Sequence, residues 1–270
     1  MLEDSFVYSE YLLRKRLEYF LTTNKLNRNE IKEFIEFIRK ESNVVIFGGM
    51  LRDLSLSDNK LFRSDIDLVV DSINQRELYK LIKKYNPIMN KFGGFRILLN
   101  KWKLDIWSLS NTWAINEGLV IGDNFTDLLK TSFFTWDAII YEIPTKKFKY
   151  YDNYFKDLNS GFIDINLRSN PNPIGITIRT LRMLFMNKCK ISFELLNYII
   201  PYLKKMRPED IVSFENKSFE KKILNKEKIE LINKYIHEHV HSYIYEPFGL
   251  PELEPRLPWN FQSIKNANIA

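Results

Sequence analysis

Asp65 and Asp67 stand one residue apart at the head of the apolar run DIDLVVD (65–71), and Gly48-Gly49-x-x-Arg52-Asp53 lies a short distance upstream. In a strand, residues i and i+2 face the same side, so the two carboxylates project together while Ile66 and Leu68 turn toward the core. Like charges this close force one group to protonate unless a cation sits between them. Carboxylate oxygens suit Mg²⁺, which accepts one or two protein carboxylates and completes its shell with water and substrate phosphates. A third acid is in reach. In KWKLDIW, alternation puts Lys101, Lys103 and Asp105 on one face and Trp102, Leu104 and Ile106 on the other. Three aspartates around two Mg²⁺ ions, with Mn²⁺ as a substitute, would bind a triphosphate and activate a hydroxyl for in-line attack on its α-phosphorus.

Each part of this pattern has a plainer reading beside it. Asp-x-Asp arises by chance at strand ends, Asp105 could be a polar-face residue paired with Lys101 or Lys103, and Arg52-Asp53 could be a surface ion pair at a helix start. The combination argues for phosphate chemistry, because glycines let backbone N–H groups approach phosphate oxygens without a Cβ in the way. There is no GxxxxGK[ST], so the glycine pair is not a P-loop.

The elements that must hold these residues follow from periodicity. Apolar spacing of three and four predicts amphipathic helices over 5–20 and 28–41, ahead of the chemistry. NVVIF (43–47) reads as a buried strand that stops at the glycines, 50–56 as a helix turn and 65–71 as a second strand. A helix is expected at 75–85. The segment FGGFRILLNKWKLDIWSL (92–109) then breaks at Asn100-Lys101 into a hairpin. Beyond a polar loop near 121–127, the pattern predicts a helix through 126–141 and a strand pair around 147–151 and 162–166. Helical spacing alone follows, at 173–187, 192–205 and 218–242. The last stretch, from Glu246, holds four prolines and reads as an extended arm or tail. The expected class is α+β: a mixed-sheet head with N-terminal helices and a C-terminal helical extension. Its divisions are N-terminal helices 1–42, head 43–168, a neck-like helical domain 169–245 and a tail 246–270.

Composition narrows the partners. The chain has 270 residues and a net charge of +6, which mildly favours a polyanion such as RNA. Its single cysteine, Cys189, cannot form an internal disulfide, and no secretory leader pattern opens the sequence, so a reducing cytoplasm fits. Apolar runs such as VVIF and LLNYII fall far short of the ~18 residues of a membrane span, and no membrane partner is expected. The oligomeric state is not legible.

The glycine pair, x-x-Arg-Asp, a spacer and Asp-x-Asp together resemble the head of the CCA-adding enzymes and bacterial poly(A) polymerases, within the DNA-polymerase-β-like nucleotidyltransferase superfamily. FGGFRILL followed by KLDIW is similar to that family's hairpin carrying the third acid, which falls on Asp105. SFFTWDAIIYE resembles its Asp-Phe-Thr-Ile-Asn-Ala-Leu segment through Phe134, Thr135 and Ala138. YYDNYFKDLNSGFI is similar to its Asp…Asp-Leu-x-x-Gly-x-Ile stretch at Asp152, Asp157, Leu158, Gly161 and Ile163, and IRTLRMLF to its Arg-x-x-Arg helix through Arg179 and Arg182. The resemblance spans about residues 43–200. It implies a template-independent nucleotidyltransferase moving NMP from an NTP, ATP or CTP, to an RNA or tRNA 3′ end with release of pyrophosphate. Asp65, Asp67 and Asp105 would then be the catalytic metal ligands; Gly48, Gly49, Arg52, Asp53, Asp152, Arg179 and Arg182 would bind the nucleotide.

Departures keep other readings open. Thr131-Ser132-Phe133 stands where the family usually has Arg-Arg-Asp, and Asn170-Pro171-Asn172-Pro173-Ile174-Gly175 replaces the base-reading Glu-Asp-x-x-Arg, so the choice of base does not carry over. About 70 residues follow position 200, fewer than in full tRNA-handling relatives. Transfer to a protein or small molecule, in a toxin- or defence-like role, and a catalytically inactive nucleotide- or RNA-binding module are the alternatives. A rival motif of another class, His237-Glu238-x-x-His241, has the spacing of a zinc hydrolase, with Glu246 or Glu252 as a third ligand.

Overall fold

The structure, a computed structural model, describes residues 8–57, 65–239 and 247–250. The chain divides between Asn172 and Pro173 into two compact units.

In the first unit, α1 (Glu10–Thr22) starts where the Ser9 hydroxyl accepts from the Leu12 amide, and α2 (Arg28–Ile38) buries Ile31, Phe34, Ile35 and Ile38 along one stripe. Strand β1 (Val44–Phe47) runs through Gly48 into α3 (Gly49–Leu56), and β2 (Ile66–Val70) follows. Next come α4 (Gln75–Ile82), capped by Asn74 and Glu77 in a reciprocal box, a two-residue strand β3 (Ile88–Met89) and the hairpin β4 (Phe95–Leu99) and β5 (Trp102–Ser108). The two-residue loop between β4 and β5 carries Asn100 at a φ of 51°, a left-handed conformation that asparagine tolerates and that matches strand twist. A single turn, α5 (Trp113–Asn116), precedes strands β6 (Ile139–Glu142) and β7 (Lys147–Tyr150), then α6 (Tyr154–Ser160) and a short β8 (Phe162–Ile163).

Among the described residues these strands form a seven-stranded mixed sheet in the order β3-β4-β5-β2-β1-β6-β7. Only the β2–β5 neighbours are parallel; the other adjacent pairs run antiparallel. One face of the sheet is largely apolar, with Ile46, Ile66, Leu68, Leu104 and Ile106 fully buried. On the opposite face Val45, Val69 and Ile140 pack with Leu109, Leu128 and Leu129 under a 3₁₀ turn at Phe125–Lys130. That second face is apolar only up to Val69, and the next inward position on β2 is Asp67.

The expected helix through 126–141 is not formed. The segment instead makes the 3₁₀ turns Phe125–Lys130 and Thr135–Asp137 and then β6, whose Ile139 and Ile140 are fully buried between β1 and β7. A short apolar run buried on both faces carries no period, and here strand pairing decides its conformation. The strand expected at 147–151 is present, but its partner is β6; 162–166 contributes only β8 and a single bridge between Ile165 and Phe134.

The second unit consists of α7 (Pro173–Asn187), α8 (Phe193–Lys205), α9 (Pro208–Ser218) and α10 (Lys226–His239), with two short antiparallel strands, β9 (Lys190–Ile191) and β10 (Phe248–Gly249). The helix expected at 218–242 begins only at Lys226, and α9 ahead of it falls outside every expected helix but for its last residue; the interruption between them is 219–225. Pro208 at the first position of α9, followed by Glu209 and Asp210, is an ordinary helix start that periodicity alone overlooks. The interruption is built around Glu215. Its fully buried carboxylate accepts from the amides of Ile223 and Leu224 and pairs with Arg182 of α7. In the expected tail, Phe248 is buried against β9, while 251–270 lie outside the described residues.

A buried carboxylate with this many donors is held by all of them together. Glu215→Ala, which strands the Arg182 guanidinium, is expected to lower the free energy of unfolding by about 3–5 kcal/mol in urea titration; a change below about 1 kcal/mol would contradict this reading of the network.

Candidate active site

Strand register gathers the acids. Asp67 on β2 lies directly beside Asp105 on parallel β5, and Arg96 on β4 lies directly opposite Asp105. Phe47, the last residue of β1, pairs with Asp67 on its other side. Neighbours in register present their side chains to one face. Phe47, Asp67, Asp105 and Arg96 therefore form a row across four adjacent strands, at the border where the apolar cover of that face ends. Asp65 precedes β2 by one residue and sits on the same side as Asp67.

Arg96 is the cation of this row. Its Nε donates to Asp105 Oδ1 at 2.7 Å, its Nη2 donates to Asp105 Oδ2 at 2.5 Å, and the same Nη2 reaches Asp65 Oδ2 at 3.2 Å. The forked contact is the bidentate geometry that guanidinium and carboxylate share. The Asp105 side chain is only 9% exposed, whereas that of Arg96 is 45% exposed. Hydrogen bonding to Asp105, opposed by partial burial and reinforced by the charges of Asp105, Asp65 and Asp67, holds the Arg96 pKa above its ordinary value. Among the described residues no three carboxylate, thiolate or imidazole groups converge as a ready metal cage. The oxygen donors match Mg²⁺ in type and share a face, but both oxygens of Asp105 are engaged by Arg96.

The glycine pair sits at the same end of the sheet, because Gly48 directly follows the residue paired with Asp67. Gly48 has a φ of +70° and donates its N–H to Ile139 O at 2.9 Å, so its glycine identity follows from backbone conformation. Gly49 differs. A Cβ there would meet Arg52 Nη2 at 3.6 Å, an ordinary contact, so protein packing alone does not demand glycine. Gly48 O accepts from Leu51 and Arg52, which leaves the amides of Gly49 and Met50 as the helix-start donors with no intrahelical acceptor.

Arg52 is held from two sides: Nε donates to Asp53 Oδ1 at 2.8 Å, and Nη1 donates to Asp137 Oδ1. Burial works against this charge, but Asp137 and then Asp53 outweigh it and keep the pKa above the usual arginine value. The phenol of Tyr154, whose hydroxyl donates to Trp136 O at 3.1 Å, is pushed up by burial and by the nearby Asp137 charge.

Asp152 is exposed in the turn before α6. Arg179 and Arg182 both belong to the second unit. Arg179 is exposed, while Arg182 is buried on Glu215, on the Lys221 carbonyl at 2.7 Å and over the Phe219 ring at 4.1 Å, so this guanidinium is committed within that unit. His237 and Glu238 are exposed on α10; His241, Glu246 and Glu252 lie outside the described residues.

Two residues escaped the sequence reading. Arg96 was recoverable: a hairpin turning at Asn100-Lys101 pairs 99 with 102, and hence 96 with 105. Asp137 left a fainter signal, one acid in the aromatic stretch SFFTWDA, with nothing local to name Arg52 as its partner.

The fold, a mixed sheet with paired aspartates beside a glycine turn, is similar to that of solved CCA-adding enzymes. The Thermotoga maritima CCA-adding enzyme complexed with tRNA-CCA matches with a TM-score of 0.57 and 19% identity, over 90% of this chain and 57% of that one. A CCA-adding enzyme complexed with CTP matches with a TM-score of 0.56 and 20% identity over 87% of this chain and 55% of that one, and one complexed with ATP with 0.55 and 19% over 90% and 57%. The chain thus spans a little over half the length of these proteins. No protein-family profile matches the sequence, and no curated protein does. Among the described residues no helix is long and apolar enough to cross a membrane.

The Arg52–Asp137 pair predicts a measurable asymmetry. Arg52→Met, which leaves Asp137 without this guanidinium, should cost about 3 kcal/mol of unfolding free energy, and Arg52→Lys, which cannot bridge both acids, a smaller amount. A Met variant as stable as the parent in chemical denaturation would show that the pair does not hold the glycine turn in place.

Proposed function

We propose that the chain is a template-independent nucleotidyltransferase that moves NMP from an NTP to an acceptor hydroxyl, with an RNA 3′ end as the acceptor. The observation that carries this reading is the register pairing of Asp67 with Asp105, with Asp65 beside them, next to the Gly48-Gly49 turn. The similar structures include complexes with tRNA, CTP and ATP, and the net charge of +6 suits a polyanionic acceptor.

In this reading Asp65, Asp67 and Asp105 would hold Mg²⁺ (two ions, Mn²⁺ as a substitute). When bound, the metal supplies the positive charge that acidifies the attacking hydroxyl and neutralises the departing pyrophosphate. The chain's own groups do the rest. The amides of Gly49 and Met50 face the phosphates at a helix start, where partial positive charge favours an anion and the missing Cβ of Gly49 permits close approach. Arg52, fixed by Asp53 and Asp137, adds a permanent positive charge behind the turn. Asp105, once released by Arg96, would accept the proton of the acceptor hydroxyl. Asp152 and Arg179 remain candidates for nucleotide contact.

The test is incubation of the full chain with each labelled NTP, Mg²⁺ or Mn²⁺ and total RNA. Label transfer with pyrophosphate release, reduced roughly a thousandfold by Asp67→Ala, is the expected result. Nucleotide binding without transfer under every combination would replace the enzyme by a binding module, and labelled protein in place of RNA would move the acceptor to a protein.

A further inference from the structure

One feature of the site has no place in the reaction as described: the guanidinium that already sits where a cation belongs. Arg96 takes both oxygens of Asp105, at 2.7 and 2.5 Å, and with the same Nη2 touches Asp65 at 3.2 Å. A magnesium ion bound to an Asp105 oxygen would lie about 2 Å from it, inside the space the guanidinium N–H groups fill. The two cations therefore compete for the lone pairs of Asp105 that Arg96 occupies.

We propose that Arg96 is a built-in competitor for the divalent-cation site, holding the carboxylate cluster closed until a metal ion displaces its guanidinium. The inference rests on the nucleotidyltransferase reading of the same residues.

Three observations make Arg96 the partner that moves. Asp105 lies mid-strand between β2 and β4, with its side chain 9% exposed, so its carboxylate stays. The Arg96 side chain is 45% exposed, and neighbouring Leu98 on the same side of β4 is 60% exposed, so solvent reaches the guanidinium. A buried carboxylate also needs a positive neighbour at all times. Arg96 supplies one without metal, and the site passes from one cation to the other without leaving Asp105 uncompensated. Once released, a planar guanidinium next to a triphosphate site has the fork that matches phosphate oxygens.

A site whose competent form is a minor fraction binds its ligand more weakly by that fraction. If Arg96 closes about nine-tenths of the molecules, removing it should tighten metal binding about tenfold. The experiment titrates the full chain with Mn²⁺, following free ion by electron paramagnetic resonance, and measures thermal unfolding in EDTA and in Mn²⁺. Arg96→Met should bind Mn²⁺ about tenfold more tightly than the parent, melt lower in EDTA because Asp105 has lost its cation, and show the larger Mn²⁺-induced rise in melting temperature. Lys101→Met, which removes one charge from the same hairpin, is the control and should leave Mn²⁺ binding nearly unchanged. Arg96→Gln replaces the Met variant should the latter not fold.

An Arg96 variant that binds Mn²⁺ no more tightly than the parent overturns the proposal, as does an equal gain from Lys101→Met, which would reduce the effect to bulk charge. If the parent binds Mn²⁺ through Asp67 and transfers nucleotide, such a result removes Arg96's role alone. If neither parent nor variant binds Mn²⁺, the proposal and the nucleotidyltransferase reading fall together.

Discussion

A carboxylate shielded from water in the middle of a β-sheet must have a positive charge or hydrogen-bond donors against it. Asp105 is that group here. It stands between Asp67 on one neighbouring strand and Arg96 on the other, with Asp65 close by. The rest of the head serves this arrangement. The parallel β2–β5 pairing brings two acids from distant parts of the chain side by side, and the apolar face beneath, with Ile66, Leu68, Leu104 and Ile106 buried, fixes their register. A slip of one residue would turn the acids into the core.

The glycine turn meets the same constraint from the other side. β1 ends beside Asp67, and the chain must then reverse into α3 within one residue, which the positive φ of Gly48 allows. Arg52, one turn into α3, is tied to Asp53 and to Asp137 at the foot of β6. Anions and cations thus alternate around the end of the sheet. Carboxylates line the β2–β5 side, and a fixed arginine and helix-start amides the α3 side.

Much of this was legible from residue types. The alternation in KWKLDIW and DIDLVVD gave the faces correctly because charged residues fall only on one side of each strand, and the hairpin turn at Asn100-Lys101 was marked by a residue that tolerates a left-handed backbone. The segment 126–141 was misread as helix because an apolar run buried on both sides has no period to read, and its conformation depends in part on β1, which is remote in sequence. Arg182 shows the opposite failure. At three residues from Arg179 on α7 it looked like half of a phosphate-binding pair, yet its partner, Glu215, lies on another helix in a position that no local pattern announces. Ion pairs between distant elements, Arg52 with Asp137 and Arg182 with Glu215, were the least accessible part of the structure.

The central claim is that Asp65, Asp67 and Asp105 form one divalent-cation site that a nucleoside triphosphate completes. Its most direct test is a crystal structure of the full chain soaked with Mn²⁺ and a non-hydrolysable NTP analogue, read by anomalous scattering at the manganese edge. The account predicts anomalous density between Asp67 and Asp105, phosphates over Gly49, and the Arg96 side chain turned away from Asp105. Manganese bound elsewhere, with Arg96 still seated on Asp105 and the nucleotide remote from the glycine turn, would contradict it.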